Sequence, residues 1–156
     1  MDRDALIKAC LRRSVEMLAR REHARKELRL KLERLDLASE GGGEERAAAI
    51  EACLDELAAR GYQSDARYAE AYAASKAARY GNRRLAADLR AQDVAWDAIE
   101  PARQALPGDL ERARRVWAKR FGEPPRDARD KARQMRFMDA RGFGYDVFAS
   151  VLAEQG

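Results

Sequence analysis

A chain that has no threonine, and only five valines and three isoleucines among 156 residues, has almost nothing from which to build a β-sheet. Its 32 alanines and 25 arginines, together with leucine and glutamate, are the residues that lose least on entering a helix. The expected fold is therefore all-α. The length suits one domain or a short repeat array, and a hydrophobic share of 46% is enough for a core.

Breakers and apolar stripes divide the chain into nine short helices. The first spans about residues 4–20, with Leu11, Val15 and Leu18 on one stripe, and the second about 24–35, with Leu28, Leu32 and Leu35. Ser39–Gly43 reads as a glycine-rich linker. A third helix, about 44–60, turns Ile50, Leu54 and Leu57 inward and stops at Gly61. Ser64 is an N-cap for a fourth helix reaching about Arg79, and Asn82 caps a fifth holding Leu85 and Leu89. The sixth, about 95–106, has Trp96 and Ile99 inward. Asp109 caps a seventh with Val116, Trp117 and Phe121, ended by Gly122 and Pro124-Pro125. The eighth and ninth cover about 126–141 and 144–153.

One device recurs at the close of the third, fifth and eighth helices. The segments run Leu57 to Asp65 through Gly61-Tyr62, Leu89 to Asp97 through Asp93-Val94, and Met138 to Asp146 through Gly142-Phe143. Each has a large apolar residue, a long polar one three later, a breaker, a hydrophobe and then an acid. The helix stops, the hydrophobe staples the corner, and the acid sits in the next first turn, where it meets free N–H groups. Leu28 and Leu32 are echoed by Leu85 and Leu89. The reading is three tandem three-helix modules, 1–61, 62–106 and 107–156. Each is too small to bury its own apolar face, so neighbours share a core in an elongated, curved array.

Several function classes are excluded or lack support. No stretch approaches the about 18 apolar residues of a membrane span, and the N-terminus leads into a charged helix rather than a signal core. Cys10 and Cys53 make no disulfide framework, which fits a reduced, cytoplasmic setting. His23 is the lone histidine, too few for a zinc site or a triad. Gly41-Gly42-Gly43-Glu44-Glu45-Arg46 lacks the Gly-Lys-Ser/Thr of a phosphate loop. No catalytic residue, cofactor or metal is assigned, and the chain reads as a non-enzyme.

Charge is segregated. Residues 1–35 carry 11 basic and 6 acidic side chains, whereas 36–65 carry 2 and 8. Arginine strips suit bidentate contact with carboxylate or phosphate. Arg20, Arg21, His23, Arg25 and Arg29 form one around the first two helices, and Arg79, Arg83 and Arg84 flank the Tyr80-Gly81-Asn82 turn. Arg112, Arg114, Arg115, Lys119 and Arg120 crowd the seventh helix; Arg126, Arg129, Lys131, Arg133 and Arg136 crowd the eighth. With no helix-turn-helix frame and no zinc finger, DNA contact through these strips is backbone-driven and salt-sensitive.

Four segments resemble the RecX family of recombination regulators. They are Leu18-Ala-Arg-Arg-Glu-His23-Ala-Arg-Lys-Glu27-Leu28-Arg-Leu-Lys31-Leu32, Leu57-Ala-Ala-Arg-Gly-Tyr62-Gln-Ser-Asp65-Ala-Arg67-Tyr68, Gly81-Asn-Arg-Arg-Leu85 with Leu89, and Arg136-Phe137-Met138-Asp-Ala-Arg141-Gly142-Phe143-Gly-Tyr-Asp146. They span about residues 5–152 in the family's order. Ala24 stands where the family usually has Ser, Asn82 where Pro is common, and Asp93 where Gly is usual. The resemblance implies a monomeric, non-enzymatic modulator that lodges in the RecA–DNA filament and hinders its growth, ATP hydrolysis and strand exchange. It makes Arg20, Arg21, His23, Arg25 and Arg29, then Arg79, Arg83 and Arg84, then Arg133 and Arg136, the candidate contacts to RecA or DNA. Leu28, Leu32, Leu89, Trp117 and Phe143 are assigned to the core. The rival reading is a stand-alone DNA-binding protein without sequence preference.

Overall fold

The computed structural model describes residues 2–36 and 43–156. Nine helices and no strand occur among them: α1 (Arg3–Leu18), α2 (Arg25–Glu33), α3 (Gly43–Ala59), α4 (Asp65–Lys76), α5 (Asn82–Ala91), α6 (Trp96–Gln104), α7 (Asp109–Arg120), α8 (Ala128–Ala140) and α9 (Tyr145–Ala153). The linker expected over Ser39–Gly43 falls outside the described residues except for Gly43, which opens α3. None of the described helices is long and apolar enough to cross a membrane.

The helices form two compact units. The first holds the chain to Tyr68 together with Gln92–Val94. Here α1 and α2 pack on α3 around Cys10, Leu28, Leu32, Ile50, Cys53, Leu54 and Leu57, all of them buried. Each such leucine contributes about 1.5–3 kcal/mol by leaving water. Burial pushes the Cys53 thiol up to about 11 and raises Cys10 as well, so neither is a thiolate nucleophile. The inward face of α1 is Leu6, Ala9, Cys10 and Ser14, not Leu11, Val15 and Leu18. At 100° per residue this is a rotation of one position. It leaves Val15 45% exposed, with Leu11 and Leu18 half-buried at its edge.

The second unit contains residues 69–91 and 95–156. Its core is Ala113, Trp117, Met138, Phe143, Phe148 and Val151. Leu85, Leu89 and Ile99 are also fully buried. The Trp117 indole N–H donates to Gln134 Oε1 at 2.8 Å, and the Gln134 amide donates onward to the Glu123 carbonyl at 3.1 Å, so the buried polar pair is satisfied. Trp96, expected inward, is 52% exposed; it is the first residue of α6, and the Arg90 guanidinium lies over its ring at 5.8 Å.

The recurrent corner is present three times in the backbone. Gly61, Asp93 and Gly142 all take positive φ, at 75°, 58° and 92°. At the first and third corners the next amide reaches back to the large apolar residue, Tyr62 N–H to Leu57 O at 2.9 Å and Phe143 N–H to Met138 O at 3.0 Å. The staple differs in the first copy. Val94 and Phe143 are fully buried, but Tyr62 is 51% exposed, because the buried place beside that corner is taken by Gln63. Its amide donates to His23 O at 3.3 Å and to Asp65 Oδ1 at 2.9 Å.

The acids cap other helices than those expected. Ser64 caps α4 through the Arg67 N–H at 3.2 Å, as its position predicts. Asp65, the first residue of α4, instead accepts the N–H of Arg25, the first residue of α2, at 2.9 Å. This carboxylate supplies what Ala24 lacks as an N-cap. Likewise Asp109, the first residue of α7, accepts the N–H of Asn82 at the start of α5 at 2.9 Å. Asn82 is therefore capped rather than capping, and Gly108 holds the cap position of α7.

Candidate partner-binding surfaces

Five of the candidates lie in the first unit. The acidic residues of α3 face α2, so the two charge blocks of the sequence meet. Arg25 reaches Glu51 at 2.9 Å and Asp55 at 2.7 Å, and Arg29 reaches Glu51 at 2.6 Å. These guanidiniums hold the Glu51 carboxyl below its usual range. Arg21 forks onto Glu27 with contacts of 2.8 and 3.2 Å. Burial works against charge on Glu27, but Arg21 and the Ala24 N–H outweigh it and hold this carboxyl low too. Arg20 is exposed. The strip read from sequence is thus largely neutralised within the fold.

His23 does not face outward. It is 2% exposed; its Nδ1 lies 3.0 Å from the Arg21 carbonyl and its Nε2 lies 3.0 Å from Lys31 Nζ. The carbonyl requires a proton on Nδ1 and the ammonium requires a lone pair on Nε2, so the imidazole is neutral. Burial pushes its pKa below 6.5; the carbonyl and Glu27 oppose this, and the charges of Arg21 and Lys31 add to it. Below 6.5 the unfolded chain therefore binds a proton that the folded chain resists, and stability falls as pH drops through that value. The melting temperature is expected to fall from about pH 7.5 to about pH 5.5, and His23→Gln is expected to flatten that slope. An equal slope in both proteins refutes the assignment.

In the second unit Arg83 and Arg84 serve the end of α8. Arg83 donates to Asp139 O at 2.6 Å and Oδ1 at 2.8 Å, and Arg84 to Ala140 O at 3.2 Å. They satisfy terminal helix carbonyls. The Arg84 guanidinium also covers the Tyr80 ring at 3.8 Å. Arg133 pairs with Asp130 at 2.8 Å, and Arg136 is exposed. Arg79 alone of its cluster opens onto a larger feature.

That feature is a groove of about 670 Å³ between the end of α4, α7 and the end of α8. Its floor is Ala74, Ala77, Ala78, Pro107, Val116 and Phe137. Around it stand Arg79, Arg112, Arg115, Lys119, Arg120 and Arg141, and no carboxylate lines it. Arg115 pairs with Glu111, outside the lining, at 2.7 Å. Arg112, Arg115 and Lys119 recur at spacings of three and four, which puts them on one face of α7; that was the sequence signal for this groove. Arg112 is 3% exposed and anchored, whereas Arg79, Arg115, Lys119 and Arg120 are exposed.

Two family models match the chain, RecX second three-helix domain over residues 64–102 and RecX third three-helix domain over 108–152. A regulatory protein RecX of Chromobacterium violaceum is 46% identical over 143 residues, covering 90% of this chain and 87% of the relative. One of Leptothrix cholodnii is 44% identical over 141 residues, covering 90% and 85%. The crystal structure of RecX from Lactobacillus salivarius superposes with a TM-score of 0.75 over 97% of both chains at 18% identity, a likeness of fold.

Proposed function

The chain belongs to the RecX family of regulatory proteins, and from that membership we propose that it binds the RecA recombinase on DNA and restrains filament growth, ATP hydrolysis and strand exchange. It acts as a monomer in the cytoplasm, without a cofactor or a catalytic step of its own, and touches DNA weakly. Its three three-helix modules are bounded near residues 61 and 107.

Membership carries this reading, and the groove of the second unit supports it. Elsewhere the basic candidates are largely paired within the fold, through Glu51, Asp55, Glu27, Asp139 and Asp130. The groove instead gathers cations of one sign beside apolar surface, which suits a protein partner better than bare phosphate. Inhibition follows from mass action. A protein that prefers one state of a filament draws the population towards it.

Titrating the chain into RecA that is hydrolysing ATP on single-stranded DNA is expected to lower the rate. Arg79→Glu with Arg120→Glu is expected to need about tenfold more protein for the same inhibition. These positions are exposed, whereas reversing Arg83 and Arg84 would also disturb α8. An unchanged RecA rate, together with tight binding of the chain alone to single-stranded DNA at physiological salt, replaces the proposal with a stand-alone DNA-binding function.

A further inference from the structure

We propose that the groove of the second unit is a docking site for an acidic, amphipathic α-helix of a partner protein. The inference refines the regulatory reading by naming the chemistry of the segment that is bound, and its peptide-binding test does not need RecA.

Three observations select this occupant. No carboxylate lines the groove; Arg112 and Arg115 already meet Asp109 and Glu111, so an occupant must bring negative charge for Arg79, Lys119, Arg120 and Arg141. Its floor is apolar, with Ala74, Ala77, Ala78, Val116 and Pro107 leaving space beside Phe137, and such a trench accepts the i, i+3, i+4, i+7 anchors by which helices dock. The third observation separates a helix from a nucleic acid. Single strands are held by stacking bases on open aromatic faces, but here guanidiniums already occupy those faces. Phe137 is the aromatic ring of the lining; Arg120 lies 5.2 Å and Arg141 5.0 Å from its centre, and it packs edge-to-face with Phe121. The same guanidiniums keep donors available for carboxylates. Alanines in place of larger side chains at residues 74, 77 and 78 leave room for the anchors of the docked helix.

The probe is a fluorescein-labelled synthetic peptide of leucine and glutamate with leucines at i, i+3, i+4, i+7, read by anisotropy with the full chain. Two comparison ligands are a scrambled peptide of the same composition and an oligothymidylate. Two variants address charge and space separately: Arg115→Glu with Lys119→Glu, and Ala74→Trp, which fills the trench from an exposed position without changing charge. Each variant is expected to weaken the patterned peptide at least about tenfold, and the scramble is expected to bind the native chain that much more weakly. Equal binding of patterned and scrambled peptides overturns the proposal, because charge alone then suffices. So does an oligothymidylate that binds more tightly than the peptide and loses affinity in both variants, since the groove is then a nucleic-acid site. If RecA inhibition fails while peptide binding holds, the docking site stands and the regulatory reading falls.

Discussion

Replacing Arg112 with alanine is expected to lower the unfolding free energy by about 3–5 kcal/mol, the range for removing one member of a buried, hydrogen-bonded charge network. The guanidinium ties together three chain segments of the second unit. Its Nε donates to Ala77 O at 3.0 Å and its Nη2 to Tyr80 O at 2.5 Å, both just past the end of α4. Its Nη1 donates to Asn82 Oδ1 at 2.9 Å and to Pro107 O at 3.3 Å, with the Asp109 carboxylate 3.8 Å away as counter-charge. Burial pulls the Arg112 pKa down, opposed by Asp109, yet an arginine stays protonated, so the interior holds a charge that only these acceptors compensate. Alanine strands the carbonyls and opens a void. Lysine brings a point charge without the fork, and Arg112→Lys is expected to recover less than half of the loss. Urea unfolding of the three proteins checks this; a loss below about 1 kcal/mol for alanine means that water replaces the side chain without penalty.

Arg112 also shows where sequence reading stops. On the page it is one of five cations in α7, and nothing local separates it from Arg114 or Arg115. Its role depends on which turn lies against α7, a matter of long-range packing. The same boundary runs through the rest of the molecule. Features set within a few residues were legible: helices from composition and stripes, the Ser64 cap, and the positive φ of Gly61 and Gly142. Even Asp93, without glycine's freedom, adopts the left-handed conformation its place in the repeat requires. Features set by faces meeting were not. Asp65 was read as serving its own helix and serves α2, 40 positions earlier. The basic strip around α2 was read without its partners in the fold, where Arg25 and Arg29 pair with Glu51 and Asp55 of α3. Opposite charges in separate blocks of sequence attract each other first, so such segregation is evidence of internal pairing before it is evidence of binding.

Gly142→Ala is expected to cost about 2–5 kcal/mol, and the comparison that explains it lies within the same chain. About 1–2 kcal/mol comes from placing a Cβ on a left-handed backbone, here at φ 92°. The remainder, about 1–3 kcal/mol, is overpacking. A methyl at residue 142 would lie 2.4 Å from Arg84 Cβ and 2.5 Å from Arg84 N, at the start of α5. Main chain cannot swing aside there, because the Gly81 N–H donates to Arg141 O at 2.7 Å and holds the two segments together. Gly61 occupies the matching corner of the first unit at φ 75°, with nothing within 4 Å of its virtual Cβ. Gly61→Ala therefore isolates the conformational part and is expected to cost only about 1–2 kcal/mol. Denaturant midpoints of both variants measure the difference directly. If the two substitutions cost the same, the backbone approach between the α8–α9 corner and α5 is loose, and the Arg83 and Arg84 contacts to α8 must hold that junction unaided.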